Sequence, residues 1–415
     1  MLFLLLSLVF STPVDICKVT PTPYESAPVD YKLKYVQLIA RHGDRTPSNS
    51  YKGDNGKFTC GYVEESHIYQ ETSGKVSHTA TSKTSLIDKK KNPYAINYMW
   101  EGSCEPGQLT PEGISMHYKL GAHVRELYKS ILPEVFDPEL IHLRSSGKIR
   151  TLQSMEAFLQ RFYPIKERGK YTDLEILTRP YEIESLKPNK DCCPIIKTLD
   201  TATAQSEEVI NLRSNENVTK AYNKIKRVTG IADATGDLYD YVDMMAARVC
   251  HNEKYPCNDN ECLDESDYET ILDEYLIENK YFYAAGSAKY KLGFFVDEML
   301  ADAESALNGK VVYQHYSAHD SSIYGILGLL GEDTTQPIPY ASTLAFEYLT
   351  KDGVNYVRAL LNDKVLPLRL CAKENNICTF EEFETKLKAQ VPQYSECGNT
   401  LSQRPISRKG WYTRN

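Results

Sequence analysis

The stretch Leu33-Lys34-Tyr35-Val36-Gln37-Leu38-Ile39-Ala40, running into Arg41-His42-Gly43-Asp44-Arg45-Thr46-Pro47, constrains this chain more than any other. Its first half is apolar and rich in strand formers, which reads as a buried strand. Its second half is a polar loop in which two arginines flank one histidine. Open α/β sheets present ligand sites where strands deliver such loops at their carboxyl ends. Arginine carries a planar, permanently charged fork that matches phosphate oxygens. The histidine between the two can ligate a metal, move a proton or attack phosphorus. Cationic neighbours repel a metal ion, so the guest this loop invites is an anion.

A second unit of the same design lies downstream. Lys310 to Ser317 reads as another buried strand, ends at Ala318-His319-Asp320, and continues from Ser321 to Leu330 as a helix. A histidine–aspartate pair alone is usually a turn. Placed after a second buried strand, it becomes a partner for the first loop. Gly325, Gly328 and Gly331 have neither the spacing nor the position of a dinucleotide fingerprint. Between the two units, the short strand Leu140–Leu143 leads into Arg144-Ser145-Ser146-Gly147-Lys148-Ile149-Arg150-Thr151.

The loop from Arg41 to Pro47 resembles the RHGxRxP signature of the acid-phosphatase branch of the histidine phosphatase superfamily, and Tyr316 to Asp320 resembles that branch's late His-Asp motif. The resemblance runs in order from about Leu33 to Cys397. It implies an α/β fold: a mainly parallel sheet flanked by helices, with a mostly helical cap inserted. Residues 30–156 and 309–400 would form a discontinuous core, and 157–308, which read as helical and polar, the cap. It also implies that His42 attacks phosphorus to form a phosphohistidine, and that Asp320 protonates the leaving alcohol. Arg41, Arg45, Arg150 and His319 would bind the phosphoryl oxygens. Asp320 must then be protonated with substrate bound, which calls for acidic pH or a raised pKa. No metal and no cofactor is expected.

Many members carry R-S-T-D-V-D-R-T where this chain has Arg144 to Thr151. Arg150 falls on the phosphate-binding arginine and Arg144 on the first one, while Gly147-Lys148-Ile149 departs from the aspartate-bearing middle. The pattern from Gly147 to Ser154 instead resembles the 2-phosphoxylose phosphatase group. So does Cys250-His251-Asn252 with Tyr255-Pro256-Cys257 and Cys262, which reads as a disulfide-tied loop without a catalytic role.

Other segments take structural readings. Ser48 to Gly107 is a long polar connection expected to wall the pocket, with a Cys60–Cys104 bridge as a hypothesis for what pins it. Thr110 and Pro111 read as the N-cap and first residue of a helix. His117 and His123 in that helix read as packing or surface histidines. Residues around Asp352-Gly353 read as the turn of a closing hairpin.

Met1 to Ser11 has the length of a signal-peptide core and not of a membrane span. Eleven cysteines fit several disulfides with at least one thiol left over, and make no convincing zinc site. Asn217-Val218-Thr219 is a glycosylation sequon, and the basic tail after Ser407 holds no span or anchor signal. These point to the secretory pathway: secreted, lysosomal or in the Golgi lumen. The net charge of −8 argues against a general nucleic-acid binder and requires any anion site to be a local basic pocket.

The expected partner is therefore a phosphorylated small molecule or phosphosugar, with no nucleic acid and no stable membrane span; a homodimer is compatible with the reading. Export and the RHGxRxP loop favour hydrolysis over mutase-type transfer. The alternatives are a broad lysosomal-type acid phosphatase, a phytase, or a secreted non-catalytic binding protein on the same fold.

Overall fold

The computed structural model describes residues 16–51, 56–60, 67–72, 75–81, 100–102, 104–171, 173–231, 238–371 and 376–398. The expected signal segment and the basic tail lie outside them. Chain order begins with β1 (Lys32–Arg41), β2 (Lys57–Phe58), β3 (His67–Thr72), β4 (Lys75–Thr81) and β5 (Glu101–Gly102). Next come α1 (Pro111–Leu127), β6 (Ile141–Ser145) and α2 (Ile149–Phe162). A run of helices follows: α3 (Ile195–Ala204), α4 (Glu207–Arg213), α5 (Glu216–Thr229), α6 (Leu238–Cys250), α7 (Glu265–Phe282) and α8 (Ala285–Leu307). The chain then forms β7 (Tyr313–Ala318), α9 (Asp320–Leu330), β8 (Thr343–Lys351), β9 (Val354–Leu361), β10 (Lys364–Val365), β11 (Cys378–Thr379) and α10 (Phe380–Lys388).

The main sheet runs β10-β9-β8-β1-β7-β6, with β11 also on β9. β1, β7 and β6 are parallel, as the crossover helices between them require. The other side is antiparallel, because β8 and β9 form a hairpin and not a crossover. The sheet is therefore mixed, with its parallel part confined to the three strands that lead to the two motifs. Asp352 and Gly353 both take positive φ, at 50° and 78°, which is the two-residue turn that matches strand twist.

β1 is buried along most of its length because both faces are covered. Tyr35 and Ile39 pack with α8 and α9, while Val36 and Leu38 pack with α1 and α2. This alternation explains why the strand reads as a continuous apolar run. The residues from α5 to α7 form a separate apolar cluster that includes Val218, Tyr241 and Ile271. α8 belongs with the sheet, since Leu292, Phe295 and Met299 join the cluster of Ile39 and Tyr316.

Five disulfides tie the chain: Cys17–Cys250, Cys60–Cys104, Cys193–Cys397, Cys257–Cys262 and Cys371–Cys378. The hypothesised Cys60–Cys104 bridge is among them. Cys192 stands outside the five, and its thiol donates to the Glu182 carbonyl at 2.9 Å.

Candidate active site

The three parallel strands end side by side, with Arg41 opposite Ala318 and Ser317 opposite Ser145. The loops leaving them carry His42, Arg45, His319 and Asp320, and the start of α2 carries Arg150. The first loop lies directly on the start of α1. A methyl group on Gly43 would sit 2.3 Å from the Gly113 carbonyl oxygen, and one on Gly113 2.2 Å from that of Asp44. Glycine at both positions lets backbone meet backbone. Thr110 caps α1 by accepting from the Gly113 N–H at 3.2 Å, and its own hydroxyl donates to Asp44. The Gly43 N–H donates to Ser154 Oγ at 3.1 Å, and His117 Nε2 lies 3.1 Å from the Arg41 carbonyl oxygen. His117 is thus a buried packing histidine that also fixes the loop, whereas His123 is an exposed partner of Asp363.

His42 is buried, and its Nδ1 lies 2.8 Å from the Gly43 carbonyl oxygen. A carbonyl oxygen only accepts, so Nδ1 holds the proton and Nε2 keeps its lone pair. Burial, and then the charges of Arg150, Arg45, Arg41 and His319, hold its pKa well below the ordinary histidine value. The ring is therefore neutral and carries a nitrogen able to attack.

The arginines are held in different ways. Arg41 pairs with Asp320 at 2.9 Å, donates to the Ile338 carbonyl, and stacks 4.3 Å over the Tyr340 ring. Arg45 is fully buried against both carboxylate oxygens of Asp243, at 2.8 and 3.1 Å, and donates to the Tyr239 hydroxyl at 2.7 Å. Arg150 has no ion pair among the described residues, and its buried Nε finds no acceptor. Burial and the Arg45 charge push its pKa down. A guanidinium left in this position lacks only an anion. Arg144, by contrast, is turned into a buried pairing with Glu184 and Glu298, at 3.0 and 2.6 Å, away from the pocket.

His319 Nε2 sits 2.9 Å from Ser146 Oγ, and its backbone N–H donates to Ser322 Oγ at 3.1 Å. Burial and the Arg150 charge hold its pKa well below normal. Burial pushes the Asp320 carboxyl up, but Arg41, Arg45 and His319 outweigh burial and hold it below the usual carboxylate range. The expectation of acidic pH or a raised pKa concerns the substrate complex; in the free protein Asp320 lies against the Arg41 guanidinium, which favours the ionised carboxylate.

A family model described as histidine phosphatase superfamily (branch 2) matches residues 32–362. The chain belongs to that branch. It is 27% identical over 398 residues to counting factor 60 of Dictyostelium discoideum, covering 92% of each chain. It is 25% identical over 354 residues to human 2-phosphoxylose phosphatase 1, covering 81% of this chain and 72% of the relative. Among solved structures it resembles the apo form of a Hafnia alvei phytase, with a TM-score of 0.57 and 14% identity, covering 90% of this chain and 99% of that one. At that identity the likeness concerns the fold.

The phosphatase has a further set of pocket residues that its motifs do not mark. Asp243 and Tyr239 come from α6, some 200 positions after Arg45, and with Tyr340, Tyr324 and Ile338 they line the cleft beside Arg41 and Asp320. His251, at the end of α6, places Nε2 2.8 Å from Asp44 Oδ2. Burial lowers its pKa, but the adjacent Asp44 carboxylate overcomes burial and raises it. The 250–262 loop is disulfide-tied as expected, while its histidine reaches the loop that carries His42. Helical periodicity could mark α6 as a helix, but nothing local indicates which charge it presents to the pocket.

Proposed function

We propose that this phosphatase hydrolyses phosphate monoesters through a covalent intermediate on His42. The observation that carries the reading is the convergence of three guanidiniums on a neutral His42, with Arg150 left without a carboxylate partner. Arg41, Arg45 and Arg150 bind the three non-bridging oxygens and stabilise the charge on the transferring phosphoryl group. His42 Nε2 forms the bond to phosphorus as the bond to the ester oxygen breaks, and Asp320 gives that oxygen its proton. A water then attacks the phosphohistidine and loses its proton to Asp320, which frees inorganic phosphate and restores both groups. No metal or cofactor takes part in this scheme.

A bound phosphate dianion engages the arginines that hold Asp320 ionised, so substrate itself pushes the carboxyl toward its acid form. Acidic pH adds to this, which fits the phosphatase to an acidic lumen. Five disulfides and an exposed Asn217 sequon support a site of action in the secretory pathway. Among the described residues no helix is long and apolar enough to cross a membrane. Phosphosugars are the preferred substrate class, supported by the likeness to 2-phosphoxylose phosphatase 1 and by the Gly147 to Ser154 pattern.

Brief incubation with labelled substrate should leave an acid-labile phosphoryl label on the native protein and none on His42→Ala, which should lose turnover. A label that persists in His42→Ala would place the nucleophile elsewhere.

A further inference from the structure

Two lysines stand on the segments that flank His319, and the scheme above gives them no work. Lys148 is the N-cap residue of α2, two positions before Arg150. Its carbonyl accepts from Thr151 Oγ1, which bonds Ser146 Oγ, which in turn holds His319 Nε2. Lys187 follows Leu186, whose carbonyl accepts from Ser322 Oγ, the group that receives the His319 backbone N–H. The two segments that fix His319 therefore each send one lysine outward.

Both side chains converge on Tyr181, which is 48% exposed. The Lys187 ammonium lies 3.7 Å from the Tyr181 ring centroid and the Lys148 ammonium 4.7 Å. Two like charges thus stand within about 9 Å of each other, a separation that physiological salt screens only in part. Neither ammonium forms an ion pair or hydrogen bond among the described residues, although the chain carries eight more acidic than basic residues. The tyrosine face offsets a fraction of the repulsion. An anion placed between them would offset far more. The Lys187 charge also reaches His319, which places it within electrostatic range of the phosphoryl site.

We infer that Lys148, Lys187 and Tyr181 form a second anion subsite, which binds a carboxylate or second phosphoryl group on the leaving-group part of the substrate. This rests on the phosphomonoesterase reading and names its substrate class: sugar phosphates that carry another negative charge. Net charge gives no hint of extra basic residues, because Lys187 lies 37 positions from Arg150 and only folding brings it to Lys148.

The test compares kcat/KM for glucose 6-phosphate with that for 6-phosphogluconate, which adds a carboxylate, and for fructose 1,6-bisphosphate, which adds a phosphate. The native protein should prefer at least one doubly anionic ester over glucose 6-phosphate, and the one preferred identifies the group bound. Lys148→Ala/Lys187→Ala should reduce that preference about tenfold, mainly through KM, as two partly screened charge-assisted contacts are lost. Lys148→Arg/Lys187→Arg should retain most of it, which separates lost charge from misfolding. Hydrolysis of all three esters with no preference, or a preference unchanged in the alanine variant, would overturn the subsite and leave the phosphatase reading intact. A native protein that hydrolyses none of them would overturn both.

Discussion

The pocket has two faces, and they are built on different principles. One face comes from the carboxyl ends of β1, β7 and β6, where hydrogen-bonded ladders fix each backbone position within a residue or two of Arg41, His42, His319 and Asp320. The other comes from α6, which packs in an apolar cluster of its own and is tied by Cys17–Cys250 to the segment before β1. In the proposed scheme the strand face supplies the groups that touch phosphorus or its oxygens. The α6 face supplies counter-charges to them: Asp243 to Arg45, and His251 to Asp44. Chemistry that needs sub-ångström precision sits on the stiff element, and the helical face adjusts it through charge.

The largest effects should fall on the strand face. Asp320→Asn should depress hydrolysis of an alkyl or sugar phosphate by about 10²–10⁴-fold, the range of general acid catalysis. It should affect p-nitrophenyl phosphate far less, since nitrophenolate leaves without a proton. Arg150→Ala should reduce both substrates alike, because it acts on the phosphoryl group they share. Equal losses on the two substrates for Asp320→Asn would remove the distinction between acid and anion binder on this face.

The same contrast decided what could be read from the sequence. Arg41 to Pro47 and His319-Asp320 were legible because each follows a buried strand, so local pattern and site position coincide. Arg150 needed the register of a family motif, since alone it resembles any helix-start arginine. Arg144 resembles it in sequence, yet it turns to Glu184 and Glu298, carboxylates 40 and 154 positions away that no local pattern connects to it. Asp243, Tyr239 and His251 were not legible as site residues. Their meaning depends on how α6 docks, which is set by side-chain packing across long separations. The antiparallel half of the sheet was visible as a hairpin, but the order that puts β8 beside β1 was not.

Next in size comes Asp243→Asn. It keeps the shape of the carboxylate but removes the charge that aims Arg45, so the guanidinium gains freedom while remaining in place. A loss of about tenfold in kcat/KM is expected, in line with weakening one buried charge-assisted contact. The loss should be equal for good and poor leaving groups, since Arg45 acts on the phosphoryl oxygens. A loss as large as that of Asp320→Asn on alkyl phosphates, and as selective for them, would make Asp243 a proton donor and break the division between the faces.

The smallest effect concerns His251 and pH. Asp44 raises the His251 pKa above its ordinary value despite burial, with Glu253 and Glu112 adding to the same direction. A histidine whose folded pKa is raised binds its proton more tightly in the folded state. Its contribution to stability is therefore fully present below about pH 6.5, the unfolded value, and is lost as pH rises through the folded pKa. His251→Gln removes that contribution, so the variant should melt below the native protein at pH 6 and approach it at pH 9. The partly exposed pair is worth on the order of 1 kcal/mol, which is a shift of a few degrees at most in a chain of this size. Calorimetry at the two pH values, with disulfides intact, measures the difference. A gap that stays constant or widens toward pH 9 would show that His251 holds the His42 loop by packing against Phe58, whose ring lies 5.4 Å away, and not by its charge.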